Sequence, residues 1–247
     1  MKNNILFGGL PRSGITLLAS MLNKDSNIYV TTSSPFVEIL WRNYSAWNDP
    51  DYSGDFGTEN MQQAKLPFLR ALTEAYYFQL TDKPIVIDKR RQWQGVNNIE
   101  MFRDIYGVLP KIICPVRNVT EIITSYKVLY AANGKEWDYE ALKANAFEKS
   151  YYDLVEGYEK YPECFLLVEY NDIVDKPHST LERVYEFIDA EMPSQDFSTV
   201  VASEYEGDHG LNGLHTLRNT LSKDTDIPQE VLTKEEFEKF SSWDFWR

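Results

Sequence analysis

Cysteine, histidine and positive charge are all scarce in this chain. Its 247 residues include two cysteines, three histidines and 25 Lys and Arg against 38 Asp and Glu, a formal net charge of −13. Two cysteines, Cys114 and Cys164, each inside an apolar run, exclude a disulfide-built scaffold and read as buried, reduced thiols. The histidines, His178, His209 and His215, show no metal-ligand spacing, so no metal is expected. The acidic balance argues against a nucleic-acid partner, which normally meets a basic stripe. It also means that any anionic ligand must be held by a local cluster of donors, against the field of the whole molecule. No apolar run approaches the roughly 20 residues of a membrane helix. The run Ile5–Phe7 passes at once into Gly8-Gly9-Leu10-Pro11, too short for a signal core. The expectation is a soluble, cytoplasmic protein with no membrane partner. Asn43 and Asn118 each begin a match to the glycosylation pattern, short enough to arise by chance.

What the chain does have is ordinary globular material, 43% hydrophobic and 26% charged. A single core remains workable to roughly 250–300 residues, so residues 1–247 are read as one domain. Residues 5–10 form a short apolar run closed by glycine and proline, as a buried strand would be. Leu17, Leu18, Met21 and Leu22 then recur at helical spacing. Further strands are expected at 84–88, 111–116 and 165–170, with helices at 66–80, 119–130, 181–188 and 234–240. Asp, Gly, Pro and Tyr make 48–58 a loop. Strands alternating with helices imply an α/β fold, three layers (α/β/α) around a parallel sheet.

Gly9-Leu10-Pro11-Arg12-Ser13-Gly14-Ile15-Thr16 has Walker A spacing, with isoleucine where that motif requires lysine. The glycines still let backbone N–H groups converge on a phosphate at a helix N-terminus, and the Thr16 hydroxyl can add a bond. The missing lysine is the charge that serves a triphosphate; Arg12 supplies a cation from within the loop instead. Val116-Arg117-Asn118-Val119 lies where a strand gives way to a helix, with Ser125 eight residues after Arg117. An arginine fork binds two phosphate oxygens at once, and serine adds a donor without bulk.

Pro11-Arg12-Ser13-Gly14-Ile15-Thr16 resembles the phosphosulfate-binding loop of the sulfotransferases that use 3′-phosphoadenosine 5′-phosphosulfate (PAPS), Pro-Arg/Lys-Ser-Gly-Thr-Thr. The Arg117/Ser125 pair resembles that family's 3′-phosphate site, and Val168–Val174 resembles its strand ending in Tyr-Glu-Asp-Leu. The resemblance implies a P-loop NTPase-like fold and PAPS as co-substrate, giving 3′-phosphoadenosine 5′-phosphate (PAP). It implies donor contacts from Arg12, Ser13, Gly14, Ile15, Thr16, Arg117, Ser125 and Tyr170. Gly213-Leu214-His215-Thr216-Leu217-Arg218 looks like the family's glycine-rich segment over the nucleotide, which gives Arg218 a second 3′-phosphate role and makes 207–213 a lid. Ile15 departs from the first threonine of the loop pattern, losing one hydroxyl while keeping its amide.

The implied reaction moves a sulfuryl group to an acceptor hydroxyl on a glycan, a tyrosine or a small alcohol. Arg12 is the candidate for stabilising the leaving phosphate, with Lys89, after a strand ending in Asp88, as a second cation. Cytosolic members of the family use a histidine in the first half of the chain, and here all three lie late. Tyrosylprotein and some carbohydrate sulfotransferases use a glutamate about twenty residues after the loop, which points to Glu38, with Asp88 as the other option. Trp41, Tyr44, Trp47 and Tyr52 could stack on an acceptor ring or simply belong to the core. Two rivals stay open, a P-loop kinase or NTPase using Asp88 as its magnesium ligand and an inactive PAP-binding module. Oligomeric state is open too.

Overall fold

In a computed structural model the chain is described at residues 2–47, 49, 51, 54, 57–137, 147–194, 212–213, 221–223 and 226–247. Five strands, β1 (Lys2–Phe7), β2 (Ile28–Val30), β3 (Ile85–Lys89), β4 (Lys111–Val116) and β5 (Phe165–Glu169), form one parallel sheet in the order β2-β3-β1-β4-β5. Registers are close at the centre: Phe7 of β1 lies beside Lys89 of β3 on one side and Ile113 of β4 on the other.

Helices cover both faces, and the strand alternation shows why. Ile5 and Phe7 of β1, Ile87 and Ile113 point to one side, where they pack with Leu18, Met21 and Leu22 of α1 (Ile15–Leu22) and with Leu181 and Val184 of α8 (Pro177–Phe187). Leu6, Val86, Ile112 and Cys114 point to the other side. There they meet α2 (Phe36–Ala46), α3 (Glu59–Leu80), α4 (Val96–Tyr106), α5 (Val119–Ala132) and α6 (Phe147–Lys160). Burial of such residues on both faces is what makes parallel strands read as continuous apolar runs. A one-and-a-half-turn helix α7 (Tyr170–Asp175) follows β5, and α9 (Pro228–Val231) and α10 (Lys234–Ser241) close the chain, the last opened by a Thr233/Glu236 capping box. Both cysteines are buried and unbridged. Among the described residues no helix is long and apolar enough to cross a membrane.

Several boundaries differ from expectation. Tyr170 is not the end of a strand but the first residue of α7, because β5 stops at Glu169. The helix expected at 66–80 begins at Glu59 and carries Pro67 inside it, and that expected at 181–188 begins at Pro177. The expected loop at 48–58 lies largely outside the described residues, as do Tyr52, His209, His215, Arg218 and most of the 207–213 lid.

The order of strands reverses around β1. In open α/β sheets ligands bind outside the carboxyl ends of the strands at such a point. The segment leaving β1 there is the glycine-rich loop.

Candidate active site

Two glycines in that loop are fixed by space and by backbone angle. Gly9 has φ +107° and a Cβ there would lie 2.7 Å from the Pro115 carbonyl oxygen; Gly14 has φ +90° and its Cβ would lie 2.8 Å from the Tyr170 ring. Arg12, with a side chain, also takes a positive φ, 62°, a conformation that costs a non-glycine residue roughly 1–2 kcal/mol. The Ser13 side chain is buried and its hydroxyl reaches the Leu10 and Pro115 carbonyl oxygens, while its N–H bonds the Leu10 carbonyl at 3.3 Å. Ser13 therefore contributes the shape of the loop rather than an outward hydroxyl.

The first helical bond of α1 runs from the Leu18 N–H to the Gly14 carbonyl at 2.9 Å. The N–H groups of Ile15, Thr16 and Leu17 precede it, at the positive end of the helix. The Ile15 side chain packs on the core beneath α1, so at this position a core contact replaces the hydroxyl of the resembled pattern and the amide stays where a phosphate would meet it.

The structure brings the two sequence motifs together. Arg12 Nε donates to Ser125 Oγ at 3.2 Å, and Arg117 donates from NH1 to the Arg12 carbonyl at 3.4 Å. The Arg117 guanidinium lies 4.4 Å over the centroid of the Tyr170 ring and is paired through Nε with Glu121 at 3.0 Å. Arg12, Arg117, Ser125 and Tyr170 thus form one cluster against Gly14, although they come from three separate parts of the chain. The last three side chains are nearly buried.

On the other side of the loop stands the end of β3. Lys89 is 8% exposed, and burial lowers its ammonium to about 8. Asp88 is fully buried; its Oδ1 accepts from the Trp93 indole at 2.7 Å, and burial pushes its carboxyl up. That placement gives Asp88 to the core and takes it away from an acceptor or a magnesium ion. The next residues are tied back to β1 and the loop. Arg90 donates its N–H to the Phe7 carbonyl at 3.0 Å, and Gln94, at the end of a 3-10 turn (Arg91–Gln94), accepts from the Gly9 N–H at 2.7 Å through Oε1. Gln94 in turn bonds Ser150 of α6, and Gly157 admits the contact, since a Cβ there would lie 2.0 Å from the Gln94 carbonyl oxygen.

Glu38 occupies the first turn of α2. Its Oε1 accepts from Arg90 at 2.9 Å and from Gln92 Nε2 at 3.2 Å. It borders a cavity of about 890 Å³ lined by Trp41, Arg42, Gln92, Asn98 and Asp153 among others. None of the loop residues lines this cavity; Glu38 and Gln92 connect it to the end of β3. Tyr44 bonds Asp104 and Trp47 bonds the Met61 carbonyl, so these two aromatics are held in the helical layer while Trp41 is 38% exposed at the cavity. His178 is exposed on α8 beside Glu182.

Sequence reasoning missed Gln94, Ser150, Arg90 and Arg91. For the first two the sequence carries no signal. For the arginines it does: Lys89-Arg90-Arg91 is a run of three cations at a strand end in a strongly acidic chain.

Comparison with known proteins places this arrangement. No curated protein matches the chain. Among solved structures it is similar to the sulfotransferase domain from the curacin biosynthetic pathway (TM-score 0.54, 17% identity, covering 96% of this chain and 95% of that one). It is also similar to mouse sulfotransferase SULT7A1 complexed with PAP (TM-score 0.53, 13% identity, 98% and 83% covered). At these identities the likeness is one of fold. The family assignment comes from the sequence itself, because residues 4–194 match the model of the sulfotransferase family. The chain belongs to the sulfotransferase family, and its reaction is sulfuryl transfer.

Proposed function

We propose that the sulfuryl donor is PAPS, that it is held by the loop 9–16 with Arg117, Ser125 and Tyr170, and that the acceptor is a hydroxyl activated by Glu38. The observation that carries this reading is the cluster at the N-terminus of α1, where Arg12 bonds Ser125 and Arg117 bonds Arg12. The first-turn amides and Thr16 take the 5′-phosphate. Arg117 and Ser125 take the 3′-phosphate, the feature that distinguishes PAPS from ATP, and Tyr170 backs the nucleotide. Arg218 is a further 3′-phosphate ligand in this reading.

In the reaction the acceptor oxygen attacks sulfur, and the bond from sulfur to the bridging oxygen breaks with its electron pair passing to the 5′-phosphate. The acceptor proton goes to Glu38. Arg12 and Lys89 meet the charge that grows on the phosphate. These are the protein's own cations, so the step needs no metal. The fold neighbour solved with PAP supports the donor assignment. The buried, unbridged thiols of Cys114 and Cys164 are in keeping with a reducing, cytoplasmic compartment.

Calorimetric titration with PAP, AMP and ATP in the absence of magnesium tests the donor. PAP alone should bind well, and Arg117→Ala should weaken it roughly 10–100-fold, the worth of a charge-assisted pair. Equal indifference to all three nucleotides, or preference for ATP once magnesium is added, would sink the assignment.

Lys89 adds a pH signature. Its ammonium is depressed by burial to about 8, so the cation is present below that pH and lost above it. The free enzyme's pKa governs kcat/KM. A fall of kcat/KM through an apparent pKa near 8 is therefore expected, and Lys89→Arg should remove that limb. A pH profile flat to pH 10 in the unaltered enzyme would exclude Lys89 from the step.

A further inference from the structure

Arg91 is a largely buried cation that no carboxylate meets among the described residues. Its NH1 nitrogen is buried without a hydrogen-bond partner, and no carboxylate faces it. A guanidinium carries five donors and keeps its charge at any physiological pH. Burying such a group is costly unless it is paired. Other part-buried cations find a carboxylate: Arg90, although its Nε is also buried without a partner, is paired with Glu38, Arg117 with Glu121 and Lys127 with Glu236. With 38 acidic side chains against 25 basic ones, a carboxylate for Arg91 is not in short supply. The fold withholds one.

The position of Arg91 says what completes it. The turn that carries it is tied on one side to the end of β1, by the Arg90 N–H to the Phe7 carbonyl, and on the other to the phosphate loop, by the Gln94 side chain to the Gly9 N–H. Arg91 sits on the turn between those ties and cannot lie far from the loop. Arg90 and Gln92, its immediate neighbours in sequence, hold Glu38. The Tyr126 hydroxyl of α5, next to Ser125, is raised by burial and lowered by two charges, Arg91 and Arg12. Arg91 and Arg12 thus act on one point from different segments.

From the Proposed function it follows that the 5′-phosphate lies on the loop and the acceptor oxygen lies at Glu38. The group between them is the sulfuryl group in transit. We propose that Arg91 donates to the terminal oxygens of this sulfuryl group, completing its own charge with the donor's and holding the group in line between the bridging oxygen and the acceptor. The bonds made and broken are those already given, and Arg91 neither gives nor takes a proton. The assignment rests on PAPS being the donor, but it makes a distinction which that reading does not. PAP keeps every part of the donor except the sulfuryl group, so Arg91 should matter for PAPS and not for PAP.

The test compares wild type, Arg91→Gln and Arg91→Lys by calorimetry with PAP and with PAPS, by kcat, and by thermal melting. Arg91→Gln should bind PAP within twofold of wild type, bind PAPS about tenfold more weakly, and lose about 10²-fold in kcat, the scale of one oxyanion donor. Arg91→Lys should recover part of both losses. Since the glutamine removes an unpaired buried charge, the melting temperature should not fall. Equal weakening of PAP and PAPS would move Arg91 to the phosphates and overturn the proposal. Unchanged PAPS affinity with a raised KM for acidic acceptors alone would move it to the acceptor. Lower melting with unchanged affinities would make it structural. Wild-type protein indifferent to PAP would instead overturn the donor assignment, a result separable from all three.

Discussion

Glu38→Gln should lower kcat by roughly 10²–10⁴-fold while leaving PAP affinity unchanged, the range that a positioned general base supplies. Glutamine has nearly the shape of glutamate, and its carbonyl oxygen can still accept from Arg90 and Gln92 as Oε1 does at 2.9 and 3.2 Å. What it loses is the ability to take a proton. The side chain is exposed, at the start of α2 and at the rim of the cavity, so the change should not touch folding. Single-turnover rates with enzyme-bound PAPS, set beside a PAP titration, separate the two effects. Asp88, the other carboxylate the sequence offers, is fully buried and bonded to Trp93; Asp88→Asn is a change to the core. A Glu38→Gln variant turning over at the wild-type rate would remove Glu38 from the reaction.

How far the sequence could be read depended on whether a feature was local. The shape of the loop was legible because it is contained in eight residues: glycines where φ is positive, an arginine, and a threonine at the head of a helix. β4 and α1 run over the expected residues, since each is an uninterrupted apolar pattern bounded by turn residues. β2, three residues long, offers too short a run for any period. The start of α3 was hidden by polar residues and Pro67, which removes one backbone donor without ending the helix. α6 hides for another reason. Its buried stripe includes Ser150 and Gly157, residues that look like surface or loop in sequence but are small because Gln94 must pass against them to reach Gly9. The same holds for the site. The Arg117/Ser125 pair sits on one strand-to-helix junction and shows its spacing. The clamp from Gln94 and the placing of Arg91 arise only when β3 lies beside β1, and no spacing along the chain records that.

Arg12→Gln is the second large effect, about 10²–10³-fold in kcat, comparable to removing a preorganised donor from a developing oxyanion. The loop holds Arg12 at φ 62°, and the cost of that conformation is met by what it positions: the carbonyl is bonded by Arg117 at 3.4 Å and the side chain by Ser125 at 3.2 Å. The guanidinium is thereby fixed before the donor arrives, which is what makes a cation effective in the transition state. Glycine at this position tests the two costs separately. Arg12→Gly relieves the left-handed backbone, so melting should hold or rise while kcat falls as in Arg12→Gln. Lysine keeps the charge but loses the Nε bond to Ser125, and should recover only part of the rate. The affinities carry a sharper signature. In PAP the 5′-phosphate bears the charge that in PAPS appears only as the sulfur–oxygen bond breaks. A residue serving that charge should therefore contribute more to binding PAP than PAPS. Arg12→Gln should weaken PAP the more and Arg91→Gln should weaken PAPS the more. Both variants shifting the two nucleotides in the same sense would mean that these arginines share one undivided field, and that the assignment of Arg12 to the leaving oxygen is wrong.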